Sequence, residues 1–407
     1  MRVLLNALST SGAKTGVGHY TAELIRCLRE QTLPGEIDCF PSGWVRRARS
    51  LWGHVRPWFE RGRRPTASAE PSPPAGKPHW RVGALRVLRA YGQSLLRKHF
   101  QSFLVNDRYD LYHEPNFIPL PCDLRTATTL HDLSVLHHPE WHPADRVAHF
   151  EKSFRDGVRR CEHFFTVSEF VRREIIETLH VRPEQVTVTY NGVRPGLTPL
   201  PEPVVQESLR RLRLPPRYFL TVGTIEPRKN ILTLLRAYCA LPDKIRAAYP
   251  LLLVGAWGWN SGDVADYLDR EGRRRGVRRL GYFPEKHLAV LYNGARALLF
   301  PAHYEGFGMP AAEMLACGGA VIASTAGALV EVAGQCSYLI EPGDVDGWRH
   351  AMHRAAVDAE WWSSLRRGAT QAAERFTWVR CAADTLRTSR RLCGDSVVTA
   401  ERPRKAG

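Results

Sequence analysis

Ala297-Leu298-Leu299-Phe300-Pro301-Ala302-His303-Tyr304-Glu305-Gly306-Phe307-Gly308-Met309-Pro310-Ala311-Ala312-Glu313 reads as a buried strand, a loop and the opening of a helix. The apolar run stops at a proline, and Pro310 suits the first position of a helix. Free N–H groups at such a helix start can bind an anion. Gly306 and Gly308 would let the backbone come close to a ligand. Glu305 precedes the helix and Glu313 lies on its first turn, so both carboxylates can face one ligand. Two acceptor oxygens on each suit the vicinal hydroxyls of a ribose or hexose. A turn carrying a dipole-friendly glutamate is the plainer alternative for the pair, but not for the whole string.

The same pattern repeats outward from that stretch. Tyr218 to Val222, Leu251 to Val254 and Val321 to Ala323 are short apolar runs bounded by Gly or Pro. Between them lie amphipathic helical stretches such as Ile231, Leu234, Leu235, Tyr238. Strand alternating with helix implies right-handed crossovers and a parallel sheet covered on both faces. In such sheets ligands bind beyond the carboxyl ends of the strands. After Val222 comes Gly223-Thr224-Ile225-Glu226-Pro227-Arg228-Lys229-Asn230. Arg228 offers a planar fork of donors and Lys229 a point charge, a pair suited to a diphosphate. An ordinary solvated helix start would carry acids there, because cations oppose the dipole.

The first half repeats the pattern less regularly. Val3-Leu4-Leu5 opens a strand, Ser9 to Gly18 has loop composition, and a helical pattern begins at His19 with Tyr20, Leu24 and Leu28. Leu111 to His113, Ala127 to Asp132 and Phe164 to Ser168 read as strands ending in polar residues, the last followed by a helix. Val186 to Tyr190 reads as a strand stopping at the turn Asn191-Gly192. Pro195 to Pro216 is proline-rich and marks a domain boundary with one short helix. The chain is therefore expected to be α/β, with two Rossmann-like domains at 1–200 and 201–375 and a cleft between them. A helix over 376–394 is expected to pack back on the first domain, with a disordered tail over 395–407.

With 407 residues, 44% hydrophobic and 24% charged, the chain can bury sizeable cores, which excludes collagen-like, coiled-coil and mainly disordered proteins. No apolar run reaches the ~18–20 residues of a membrane span, and the opening residues lack a signal-peptide pattern. The expectation is a cytoplasmic protein. Nine scattered cysteines, an odd number with no C-x-x-C pair, argue against a disulfide framework or zinc ribbon. The net charge of +16 is concentrated in 43–100, where eleven arginines and two lysines face two glutamates among Trp44, Trp52, Trp58 and Trp80. Such an insert could bind nucleic acid, lie on anionic lipid or be a solvated linker. Docking at the inner face of the plasma membrane is favoured over nucleic acid, because such patches attract anionic leaflets.

Taken together, these motifs resemble retaining glycosyltransferases of family 4, the group 1 transferases, whose GT-B fold pairs two Rossmann-like domains. The likeness lies in Glu305…Glu313 with Gly-Phe-Gly-Met-Pro inside it, and in Glu226-Pro227-Arg228-Lys229-Asn230. It extends to Gly281-Tyr282-Phe283-Pro284, Leu291-Tyr292-Asn293-Gly294-Ala295 and Cys317-Gly318-Gly319. In the first half, His131-Asp132-Leu133-Ser134, His138-Pro139-Glu140-Trp141, Thr166-Val167-Ser168-Glu169-Phe170 and Asn191-Gly192-Val193 are similar to a subgroup rich in mannosyltransferases of bacterial surface polysaccharides. The resemblance covers most of the chain except 43–100 and the tail after Gly394.

It implies that Arg228 and Lys229 bind the donor diphosphate and Glu313 the ribose. Glu305 and the backbone of Gly306, Phe307 and Gly308 would contact the donor sugar or its phosphates. Tyr282 and Phe283 would flank the base, Gly16 and Gly18 would border the diphosphate from the facing domain, and His131 would sit at the donor sugar or acceptor hydroxyl. Many relatives carry Arg directly after the glycine at 223; here Thr224 stands there, still among the expected donor-binding residues, and Arg228 takes the arginine's role. Gly319-Ala320 also departs from the family pattern, with consequences for packing alone. The implied reaction is metal-independent transfer of a hexose, mannose from GDP-mannose first and UDP-sugars second, to a glycan or lipid-linked acceptor. A basic binding protein on a vestigial transferase fold is the alternative from another class.

Bond breaking would place positive charge on the sugar and negative charge on the leaving diphosphate, which preorganised cations and amides stabilise. With no obvious placed nucleophile in the sequence, retention would follow from attack on the same face, His131 orienting the acceptor. Asp344-Val345-Asp346 imitates a metal motif but reads better as a helix start. His131, His137, His138 and His142 lack the fixed partners of a zinc site. Gly16-Val17-Gly18 is a truncated dinucleotide fingerprint, which disfavours an oxidoreductase.

Overall fold

The computed structural model describes residues 1–10, 16–41, 94–105 and 107–394. Most of the basic 43–100 stretch and the tail from 395, with the membrane and disorder expectations attached to them, lie outside the described residues. Among the described residues twelve strands fall into two six-stranded sheets. The first holds β1 (Val3–Asn6), β2 (Ile37–Phe40), β3 (Leu111–Glu114), β4 (Thr126–Leu130), β5 (Cys161–Thr166) and β6 (Val186–Val188), in the order β2-β1-β3-β4-β5-β6. The second holds β7 (Tyr218–Val222), β8 (Leu251–Val254), β9 (Val277–Gly281), β10 (Ala295–Phe300), β11 (Val321–Ser324) and β12 (Ser337–Ile340), in the order β12-β11-β10-β7-β8-β9. In the second sheet β7 pairs in parallel with β8 and β10, and β10 with β11.

That order decides where chemistry can sit. The first strand of the second sheet, β7, lies beside its fourth, β10, so successive crossovers leave in opposite directions at this point. Open α/β sheets bind ligands outside the carboxyl ends at such a reversal. The loops after β7 and β10 are the two that carry Arg228-Lys229 and Glu305…Glu313. In the first sheet the reversal falls between β1 and β3, which pair in parallel.

The chain divides into two compact units. One comprises Met1–Thr129, Phe154–Phe164 and Thr385–Gly407; the other comprises Leu130–Ser153 and Phe165–Asp384. In the second unit Phe219, Leu251, Leu299 and Ile322 meet Leu234, Leu235 and Tyr238 from the helix Ile231–Cys239, and Trp348 and Met352 from the helix Val345–Val357. Strands that are apolar on both faces are what a covered parallel sheet requires. Each fully buried leucine contributes about 1.5–3 kcal/mol. In the first unit Leu4, Phe40, Phe100 and Tyr112 form a separate core, with Phe40 and Phe100 edge to face at 4.9 Å.

Several boundaries differ from the sequence reading. The first helix begins at Gly16, not His19, so Gly16 and Gly18 are helical rather than loop residues. Composition suggested a loop because glycine is a poor helix former, but Gly18, Tyr20, Thr21 and Leu24 are all buried along this helix, and tertiary packing outweighs propensity. The strand read as Val186 to Tyr190 stops at Val188. Asp344 caps the helix Val345–Val357, its Oδ1 accepting from the Gly347 N–H at 2.8 Å, as read from the sequence. Among the described residues no helix is long and apolar enough to cross a membrane.

Candidate functional site

The site is built on the loops that follow β7 and β10. After β7 the chain makes a single turn of 3-10 helix at Pro227–Lys229, then Asn230 takes a left-handed conformation (φ 54°) before the helix Ile231–Cys239. Asparagine tolerates that conformation because its short polar side chain bonds locally. Here its Nδ2 donates to the carbonyls of Pro301, at 3.0 Å, and Pro342, at 2.7 Å. The His303 N–H donates to the Arg228 carbonyl at 2.7 Å. These bonds tie the two loops together at the reversal of strand order.

Four charged side chains meet there. Arg228 Nε lies 2.6 Å from Glu226 Oε1, and its Nη1 lies 3.5 Å from Glu305 Oε2. Lys229 Nζ pairs with Glu305 Oε1 and stands 5.3 Å from the centre of the Phe300 ring. Glu226 and Glu305 are buried. Burial opposes the Arg228 charge, but Glu305, Asp132 and Glu226 together outweigh it and raise its pKa. Lys229 is pushed down, first by burial and then by the neighbouring Arg228 charge, with Glu305 opposing both. Asp132 is pushed up by burial, but Arg228 and two hydrogen bonds from Ser134 hold it below the usual carboxylate range.

The second carboxylate of the Glu–seven residues–Glu string has other partners. Glu313 is 1% exposed, on the helix Met309–Ala316. The Tyr292 hydroxyl donates to its Oε2 at 2.7 Å, and Arg194 Nη1 donates to the same oxygen at 3.2 Å. Arg194 Nη1 also lies 3.0 Å from Oε1, but out of line, so Oε1 is buried and accepts no hydrogen bond. Burial pushes the Glu313 carboxyl up, while Arg194 and Tyr292 pull it down.

The glycines of the string are accounted for by the protein's own packing. A Cβ on Gly306 would stand 1.9 Å from the His131 carbonyl oxygen. The loop after β4 that carries His131 and Asp132 therefore rests on Gly306. Gly306 O in turn accepts from Ser168 Oγ at 2.7 Å. Gly308 has φ 97°, and a Cβ there would come within 2.6 Å of Leu329. Phe307 is buried, edge to face with Phe376 at 5.3 Å.

Glu305, Arg228 and Lys229 thus form one cluster, and the His131 backbone touches it through Gly306. Thr224 is exposed, Tyr282 is 81% exposed and Phe283 lies 6.3 Å from His287, all on loops after strands of the same sheet. Gly16 and Gly18 belong to the first unit. In the histidine series His142 Nε2 shares a hydrogen bond with Ser134, His137 Nε2 with Thr178 and His138 Nδ1 with Glu140. The sequence reading assigned no role to Glu226, Asp132, Tyr292 or Arg194. The first three lie inside quoted motifs, which was a usable signal, and Arg194 directly follows the quoted Asn191-Gly192-Val193; its pairing with Glu313, 119 residues away, was not legible.

Comparison with known proteins identifies the family. Residues 14–197 match the model of Glycosyltransferase Family 4, and residues 207–375 that of Glycosyl transferases group 1. The chain is 36% identical over 304 residues to O-antigen chain mannosyltransferase B of Escherichia coli, covering 74% of this chain and 79% of that protein. It is 28% identical to the serotype-specific mannosyltransferase WbdA of the same species, over 65% of this chain and 34% of that longer protein. Among solved structures, Anabaena Alr3699/HepE in complex with UDP-glucose superposes with a TM-score of 0.67 at 18% identity, over 95% of this chain and all of that one. That likeness speaks for the fold, two parallel Rossmann-like sheets of the GT-B class.

Proposed function

The chain belongs to glycosyltransferase family 4, the group 1 transferases, and on that premise we propose that it transfers mannose from GDP-mannose to a glycan or lipid-linked saccharide of a bacterial surface polysaccharide. The choice of sugar draws on the similarity to the two mannosyltransferases. The observation that carries the reading is the cluster of Arg228, Lys229 and Glu305 at the reversal of strand order.

In this reading Arg228 and Lys229 receive the diphosphate of the donor. Lys229 exchanges its bond to Glu305 for a phosphate oxygen, and Arg228 stays charged through Glu226 and Asp132. As the glycosyl–phosphate bond breaks, the electron pair leaves with the diphosphate and positive charge grows on the sugar. Fixed cations then stabilise the leaving group without reorganising. Glu305, released from Lys229, is free to accept a hydroxyl of the departing sugar. Glu313 Oε1 accepts a ribose hydroxyl, and Tyr282 and Phe283 flank the base. His131 orients the acceptor for attack on the same face of the sugar. Transfer needs no metal ion. The basic 43–100 stretch holds the enzyme at the cytoplasmic face of an anionic membrane, where a lipid-linked acceptor lies.

A panel of GDP-mannose and UDP-hexoses tests the reading by release of nucleoside diphosphate with and without acceptor, in the presence and absence of EDTA. GDP release from GDP-mannose, unchanged by EDTA, is expected. UDP release alone would move the donor to the UDP-sugars. Silence from every donor would leave a vestigial fold.

A further inference from the structure

We propose that Arg194 is a positioning residue for nucleoside recognition: it holds the Glu313 carboxylate turned so that Oε1 is left over as an acceptor for the ribose. The inference rests on the reading of Glu313 as the ribose carboxylate and adds a residue to it. Three observations carry it. Arg194 Nη1 straddles both oxygens of Glu313, at 3.0 and 3.2 Å, while Tyr292 takes Oε2. Oε1 is thus the single oxygen of the carboxylate that is buried without a hydrogen bond. A buried acceptor of that kind is costly unless a ligand completes it.

The second observation is how firmly Arg194 is held. On one side the Val193 N–H donates to the Phe376 carbonyl at 2.9 Å, and a Cβ on Gly192 would stand 2.3 Å from the Trp378 nitrogen. On the other side Asn293 Nδ2 donates to the Thr198 carbonyl at 2.9 Å and Asn293 Oδ1 accepts from the Leu200 N–H at 2.8 Å. Asn293 ends the helix Leu288–Asn293 that carries Tyr292. Arg194 and Tyr292 are therefore anchored to one another's segments, and the two donors approach Glu313 as one preorganised unit.

The third is a second partner. Arg194 Nε lies 3.4 Å from Glu285 Oε1. Glu285 follows Tyr282 and Phe283 on the loop after β9, so one guanidinium spans the carboxylate of the ribose subsite and the loop read as flanking the base.

The charged groups around Glu313 fix the pH test. They are Arg194, Tyr292, Glu285 and, just past the end of its own helix, Cys317. Tyr292 lies well above its ordinary value, first through burial and then through Glu313, and burial pushes the Cys317 thiol up to about 12. Neither titrates between pH 6 and 9. Without Arg194 nothing on this list favours the charged carboxylate except the Tyr292 hydrogen bond. Removing Arg194 therefore moves the Glu313 carboxyl further up.

The experiment compares GDP and UDP with their 2′,3′-dideoxy forms by calorimetric titration from pH 6 to 9. Taking the ratio of the two affinities cancels ionisation of the phosphates. The wild type is expected to prefer the ribose form of its nucleotide by about ten- to a hundredfold, the range of a hydrogen bond to a charged group. In R194Q the preference falls to threefold or less at pH 6 and recovers relative to wild type toward pH 9; R194K, which keeps the charge, stays within about threefold of wild type across the range. A ribose preference in R194Q that is unchanged at pH 6 overturns the proposal. So does collapse of the preference in folded R194K, which decides the matter if R194Q does not fold. If the wild type itself ignores the ribose hydroxyls, it is the reading of Glu313 that fails, a result distinct from either variant's.

Discussion

Lys229 and Glu305 share one ion pair, and this bond has opposite meanings before and after a donor arrives. Without ligand it satisfies two buried charges that would each cost several kcal/mol unpaired. With a diphosphate present the lysine gains a better anion. Gly306 shows a different constraint at the same scale. Its side-chain space is filled by the His131 carbonyl, 1.9 Å from where a Cβ would stand, so G306A is expected to lose about 1–3 kcal/mol of stability, as overpacked sites do. Urea unfolding measures the loss, and an unchanged midpoint would mean that the loop after β4 does not rest there. The reading of Gly306 from the sequence was close approach of a ligand; the structure gives the approach to backbone of the same chain. Sequence composition tells that a glycine is needed, but not what presses against it.

At the scale of elements, the ends of β1 and β3 carry a buried polar group that the catalytic reading does not use. Glu114 Oε2 accepts from Asn6 Nδ2 at 2.5 Å and from the Tyr112 hydroxyl at 2.8 Å, and Oε1 accepts from the Asn116 N–H at 3.0 Å. Burial pushes its carboxyl up to about 8, although these three hydrogen bonds pull it down. Between about pH 4.5 and 8 the folded chain therefore keeps a proton that the unfolded chain has lost, and stability falls as pH rises, by up to about 1.4 kcal/mol per unit. E114Q lacks this slope, so it is expected to gain on the wild type steadily from pH 5 to 8 in urea unfolding. Parallel profiles would show that Glu114 is ionised in the folded state. The strands themselves were legible. Tyr218 to Val222 and Leu251 to Val254 were placed to the residue, because buried parallel strands are continuous apolar runs between Gly and Pro. The helix at Gly16 was misplaced by three residues, because glycine in a first turn looks like a loop until its packing is known. Long-range partners were not legible at all. Glu331 Oε1 accepts from the Glu169 N–H at 2.9 Å and Oε2 from the Phe170 N–H at 3.2 Å, which joins two elements by a bond that no local pattern announces.

Across the whole molecule, function follows from strand order more than from any single motif. The order β12-β11-β10-β7-β8-β9 brings the loops after β7 and β10 together, and the motifs that were conspicuous in the sequence are the ones those loops carry. The net charge of +16 belongs to this scale too. Binding to vesicles rich in anionic lipid is expected to weaken as salt rises, since surface attraction fades within a Debye length, and to fall several-fold when 43–93 is deleted. Co-sedimentation measures both, and equal binding with and without the stretch would assign the charge to solvation. The central claim is that Arg228 and Lys229 hold a diphosphate at the junction of those two loops. Its most direct test is the affinity of GDP against GMP in wild type and in K229M, by calorimetric titration at fixed salt. The account predicts that wild type binds GDP at least about tenfold more tightly than GMP, a difference of about 1.4 kcal/mol, and that K229M narrows the gap to threefold or less. Equal affinities in the wild type, or a gap untouched in K229M, would contradict it.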